Sequence, residues 1–242
     1  MKQQGILSAD ALIKWKKSNG SLRVPVLPKH LIMCPQHVIP PIYKRFWLKE
    51  IKGIIGKHIC VDQNKGVFLS TGWGIGGPAL VAICEEFYAL GVRNFILVGL
   101  VGRLTEALPE AEIIYAKSVF SEEGTSAHYL PETENKTIDC PSDSYFKAFD
   151  DMGFKNGKFV STDAPFRETI DKHTHWENED CTIVDMETAS LYAFAKYYGV
   201  NANSIGIGAD SIANNEWLMP VDYNRIKALV KKTVFDLVDI LA

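Results

Sequence analysis

Cysteine pairs spaced for metal binding are missing from this sequence: its five cysteines, Cys34, Cys60, Cys84, Cys140 and Cys181, are far apart, odd in number and form no C-x-x-C. Neither a disulfide framework nor a zinc knuckle is expected, and a reducing cytoplasm suits such free thiols. An excess of basic charge is missing as well. With 26 Lys and Arg against 29 Asp and Glu the formal net charge is -3, which offers no field for a nucleic-acid backbone or an anionic membrane. No apolar run approaches the roughly 20 residues that span a bilayer. Met1 to Gly20 is amphipathic and lysine-bearing and lacks the apolar stretch of a signal peptide. No repeat, low-complexity tract or linker interrupts the chain. What is there is 242 residues with 47% hydrophobic content. That is enough for one well-buried α/β domain over residues 1–242, expected to be soluble and cytoplasmic.

Hydrophobic patterning divides the chain into alternating strands and helices. Leu31 to Cys34, Ile59 to Val61 and Gly66 to Ser70 read as short strands. A helix is expected from Ala79 to Leu90, with Ala79, Ala82, Ile83 and Phe87 on one face and Gly91 closing it. Asn94 to Val98 is an apolar run of a buried central strand, with Gly99-Leu-Val-Gly102 expected to turn off its end. Ala111 to Phe120, Lys158 to Ser161, Cys181 to Val184 and Asn203 to Ile207 complete the strands, and Ser121 to Ser144 reads as a polar excursion. Met186 to Tyr198 is apolar on most of its circumference and ends at Gly199, the pattern of a buried helix. From Asp222, residues Ile226, Leu229, Val230, Val234, Leu237, Val238 and Leu241 outline an amphipathic closing helix. The alternation predicts an α/β fold of three layers, α/β/α.

Ligands in open α/β sheets collect beyond the carboxyl ends of the strands. Four features fall there: the glycine loop after Ser70, the segment Gly99 to Arg103, Glu187 and Asp210. A backbone cradle, one carboxylate for hydroxyls and one for protonation make up the equipment of a glycosyl transfer. The glycine loop also fits G-x-G-x-x-G through Gly72, Gly74 and Gly77. A dinucleotide site needs a carboxylate at the end of the next strand for the ribose, and that strand ends instead in Gly99-Leu-Val-Gly102, which argues against it.

Several ordered blocks resemble the nucleoside phosphorylase family, which includes uridine and purine nucleoside phosphorylases and methylthioadenosine nucleosidases. They are Ser70-Thr-Gly-Trp-Gly-Ile-Gly-Gly-Pro-Ala79 with the following helix, strand and Val98-Gly-x-x-Gly102; Glu122-Glu-Gly-Thr-Ser-Ala-His-Tyr-Leu-Pro131; Ser161-Thr-Asp-Ala-Pro-Phe-Arg-Glu-Thr169; Val184-Asp-Met-Glu-Thr-Ala-Ser190; and Gly208-Ala-Asp-Ser211. The likeness runs from about Leu31 to the C-terminus and looks closest to the uridine phosphorylase-like branch. It implies a phosphorylase/hydrolase-like sandwich with a mixed central sheet, forming dimers or hexamers.

Residue by residue, the resemblance implies that Met186 and Glu187 face the ribose, with Glu187 accepting from its 2′ and 3′ hydroxyls. Asp210 would assist protonation of the departing base, and Phe166, Arg167, Val101 and Gly102 would border it. Other readings stand beside these: Glu187 complementing a helix dipole, Asp210 bonding its own turn, and Phe166 and Trp73 as core. His173 and His175 match no metal spacing and are expected at the surface. No metal or organic cofactor is implied, and phosphate enters as a co-substrate.

The phosphate side departs from the family pattern. The first loop reads Met33-Cys-Pro-Gln-His37, the position of the second arginine is Leu97, and that of the hydroxyl is Leu100. Two leucines leave a phosphate dianion without charge-assisted hydrogen bonds. Arg103, His37 and the backbone at Gly74 are the remaining candidates for that pocket. Phosphorolysis of a nucleoside is therefore the nominal expectation, with hydrolysis by water, or nucleoside binding without turnover, as alternatives.

Overall fold

The computed structural model describes residues 6–24, 26–38, 49–53, 55–133 and 136–241. Residues 1–5 of the amphipathic start and 134–135 of the polar excursion lie outside the described residues. The fold is mixed α/β. Its strands are β1 (His30–Cys34), β2 (Lys49–Lys52), β3 (Lys57–Asp62), β4 (Val67–Thr71), β5 (Asn94–Arg103), β6 (Ile113–Glu122), β7 (Thr137–Asp139), β8 (Lys155–Thr162), β9 (Ile183–Asp185) and β10 (Asn201–Ser211). The helices are α1 (Ala9–Ser18), α2 (Gly77–Ala89), α3 (Ser126–Tyr129), α4 (Phe146–Asp151), α5 (Ile170–Asn178), α6 (Thr188–Tyr198) and α7 (Tyr223–Ile240).

The ten strands among the described residues join one sheet, and part of it curls back on itself. From the edge the order runs β2, β3, β4, β1, β5, with β1 parallel to both β4 and β5. Beyond β5 the sheet closes a ring: β5 pairs in parallel with β10, β10 with β6 antiparallel, β6 with β8 and β8 with β9 in parallel, and β9 returns antiparallel to β5. This ring explains a departure from the sequence expectation at Gly99 to Gly102. The strand does not turn there, because Gly99 to Val101 continue the ladder with Gly206 to Gly208 and Gly102 pairs with Val184.

Apolar residues alternate between two faces, as a pleated strand requires. Leu31 and Met33 of β1 with Phe95, Leu97 and Val101 of β5 join a cluster containing Leu80, Ile83 and Phe87 of α2 and Leu191 and Phe194 of α6. Ile32 of β1 with Ile96 and Val98 of β5 join a second cluster with Ile226, Val230, Val234 and Leu237 of α7. Each such side chain contributes about 1.5–3 kcal/mol when fully buried. Helix α6 is buried on all sides from Thr188 to Ala195, as its composition predicts, and Gly199 ends it in the left-handed region at φ 67°.

The polar excursion is more ordered than expected, holding α3 and β7, and β7 pairs with β6. His173 also corrects the sequence reading. It is 4% exposed, because α5 turns His173 and Trp176 to the same inner face, and its ring nitrogens lie 3.1 Å from the Leu104 carbonyl and from Asn215 Oδ1. His175 is exposed, on the edge of Phe120.

Candidate functional site

The carboxyl ends of β1, β5, β9 and β10, with the loop after β8, surround a cavity of about 540 Å³. That volume suits a ligand of drug or nucleoside size. Its inner wall is Val184, Asp185, Met186 and Glu187, running from β9 into the start of α6. Leu100, Val101 and Gly102 of β5 and Ala209 and Asp210 of β10 form its floor. Pro35, Gln36 and Ile75 come from the loops after β1 and β4. The rim is Phe166 and Glu168 from the loop after β8, and Trp217, Met219 and Tyr223 from the segment after β10.

The inner wall is a buried hydrogen-bonded network. Asp185 accepts from Ser161 Oγ at 2.5 Å, from the Thr188 hydroxyl, and from the Thr188 N–H at 3.0 Å, so it also satisfies a first-turn N–H of α6. Glu187 accepts from the Gly76 N–H at 2.5 Å through Oε1 and from the Met186 N–H at 3.3 Å through Oε2. Gly76 precedes α2 and has φ 102°, a left-handed conformation that a side chain would strain. Glu187 thus sits at the positive end of α2, which favours its charge. Burial, and then the Asp185 carboxylate, nonetheless push its carboxyl above the usual range.

The base of the rim is arranged differently. Asp210 accepts from the Trp217 indole N–H at 2.8 Å. A Cβ at Gly102 would come within 2.8 Å of Val184 Cγ1 and 3.6 Å of Asp210 Oδ1, so glycine there keeps space beside the carboxylate. Glu168 stands just ahead of Thr169, whose side chain accepts from the Lys172 N–H at the start of α5. Burial raises its carboxyl to about 7, reinforced by Asp210 and, more weakly, Glu122, and opposed by Lys172.

Asp210, Met186, Glu187, Phe166, Val101 and Gly102 all line this one cavity. Phe166 is 95% exposed, which excludes a core role for it. Trp73 packs on the α2/α6 cluster and is not part of the lining. Arg167, Gly74 and His37 are exposed and outside the lining. Arg103 does not turn inward: its Nη1 donates to the Leu108 carbonyl at 2.9 Å and its stem lies against Gly208. Leu97 is 2% exposed in the core, on the opposite face of β5 from Leu100. No Lys, Arg or His stands among the described residues that line the cavity.

A family model described as the phosphorylase superfamily matches residues 40–234. The chain belongs to the phosphorylase superfamily. Among curated proteins it is similar to a DeoD-type purine nucleoside phosphorylase of Caldanaerobacter subterraneus, 28% identical over 177 residues that cover 69% of this chain and 73% of the relative. It is similar also to a guanosine phosphorylase of Halorubrum lacusprofundi, 26% identical over 153 residues that cover 59% of this chain and 61% of the relative. This member of the phosphorylase superfamily brings to its cavity several residues that sequence reasoning passed over. Glu168 carried a readable signal, a carboxylate in a loop at the carboxyl end of a strand. Asp185 carried another, an acid three residues before Thr188 at a helix start. Trp217 and Met219 carried none, since their segment has neither period, and Tyr223 only opens α7.

Proposed function

We propose that this chain cleaves the N-glycosidic bond of a purine nucleoside, with phosphate as the nominal acceptor. The observation that supports this best is the meeting of Glu187 and Asp210 in one cavity of suitable size. Glu187 accepts from the ribose 2′ and 3′ hydroxyls, fixing the sugar and favouring the positive charge that builds on it as the C1′–N9 bond breaks. The bond electrons pass into the base, and Asp210 assists protonation at N7 so that a neutral purine leaves. The acceptor oxygen then bonds to C1′. The names of the purine and guanosine phosphorylases among the relatives support the same base class. The three-layer α/β/α arrangement belongs to this reading, supported by the split of β1 and β5 side chains between two apolar clusters.

A second reading, hydrolysis by water, is favoured by one observation: the described lining holds carboxylates and no cation to neutralise a phosphate dianion. Incubating the protein with purine and pyrimidine nucleosides, with and without phosphate, and following free base tests both. Purine release that rises with phosphate is expected. Release indifferent to phosphate selects water instead, and binding by calorimetry without any release rejects catalysis.

A further inference from the structure

The carboxylates around the cavity are not equally engaged. Asp185 is occupied by Ser161 and Thr188, Glu187 by two backbone N–H groups, and Asp210 by Trp217. The Glu168 carboxylate makes no hydrogen bond and no ion pair among the described residues, although it is half-buried at the cavity wall. The cation that acts on it, Lys172, is paired with Glu122. Glu122 is further held by the Trp176 indole at 2.5 Å, which fixes that pair under α5. The exposed face of Phe166 lines the cavity in the same loop, a flat apolar surface for a ring. At Glu168 the base side therefore presents an unengaged acceptor, and a ligand must bring the donor.

We propose that Glu168 is the specificity-determining residue of the base site, accepting from the 6-amino group of an adenine-type base, so that adenine-type nucleosides are taken ahead of 6-oxopurine ones of the hypoxanthine or guanine type. This rests on the nucleoside reading above. An ionised carboxylate only accepts, so the 6-amino group of adenine satisfies it, whereas the 6-oxo group of hypoxanthine or guanine would set acceptor against acceptor. Sites that supply a partner for one polar group reject the analogue lacking it. Because this wall is part-solvated, discrimination of about tenfold is expected here.

The preference depends on pH. Glu168 faces Asp210 of β10, Lys172 of α5 and Glu122 of β6; burial, then Asp210 and Glu122, raise its carboxyl to about 7 against the opposing pull of Lys172. Below that value the neutral acid also donates and tolerates a 6-oxo group. Above it the carboxylate accepts only.

The test measures kcat/KM for adenosine, guanosine and inosine between pH 6 and 8, and the affinities of free adenine and hypoxanthine by calorimetry, for the whole chain and for Glu168→Gln and Glu168→Ala. The preference for adenosine over inosine and guanosine should widen from pH 6 to 8 in the native protein. It should collapse to within about twofold, without pH dependence, in both variants, because an amide accepts and donates alike and alanine does neither. If no nucleoside is cleaved but adenine still outbinds hypoxanthine with this pH profile, the cleavage reading fails and the Glu168 assignment stands. A preference that ignores pH in the native protein, or that survives in either folded variant, overturns the assignment.

Discussion

Glu187 and Asp210 line the same cavity, yet Glu187 is held by backbone N–H groups at a buried junction of β9, α6 and α2, while Asp210 is held by an indole that is 61% exposed. The wall around Glu187 is tied into the fold through Asp185, Ser161 and Thr188. The rim around Asp210 is made of loop residues: Phe166, Glu168, Trp217 and Met219. A wall of the first kind is pre-organised whether or not a ligand is bound, and suits the sugar, which every substrate of the class shares. A loop-built rim tolerates change at little cost to folding, and suits the base, which differs between substrates.

The largest effect expected from this contrast is on chemistry with stability untouched. Asp210→Asn should lower kcat for purine nucleosides by about 10²–10⁴-fold, the range for loss of a general acid. Its unfolding free energy should move by less than about 0.5 kcal/mol, as for surface sites with few buried partners. A parallel collapse in stability, followed by urea denaturation, would break the contrast by making Asp210 structural. The complementary substitution is Asp185→Ala. It leaves the buried Ser161 hydroxyl and the Thr188 hydroxyl and N–H without their acceptor, so a loss on the order of 2–4 kcal/mol is expected. A loss below about 1 kcal/mol would mean that the inner wall is no more rigid than the rim.

The same contrast explains what could be read from the sequence. Elements with a strong period were legible: α6 with its Gly199 stop, α7 with its apolar stripe, and the apolar run that begins β5. The glycines after Val98 looked like a turn because glycine is the commonest turn signal, and only the non-local ladder to β10 keeps them extended. His173 looked superficial because single polar residues on a short helix usually are, whereas its partners, Leu104 and Asn215, are distant in sequence. In the site, Met186, Glu187 and Asp210 sit at strand ends within ordered motifs. The rim residues are brought in by tertiary packing of irregular segments, for which local pattern gives no rule.

The smallest effect, and the sharpest for the rim, concerns Glu168 and stability. Its folded-state carboxyl is raised from the ordinary 4.5 to about 7, with burial the chief cause. Between those values the folded state holds a proton that the unfolded chain has lost, so stability falls as pH rises. The group's contribution is fully present below about pH 4.5 and is lost as pH climbs through 7. Glu168→Gln removes this titration. Native protein and variant should therefore melt alike at pH 4, and the variant should melt higher at pH 8. Solvent screening at a half-buried site limits the difference to on the order of 1–2 °C. A difference already present at pH 4 would point to packing rather than charge. Equal melting at pH 8 would show that the carboxylate is well solvated, and the rim would then resemble ordinary surface rather than a wall arranged for a donor-bearing base.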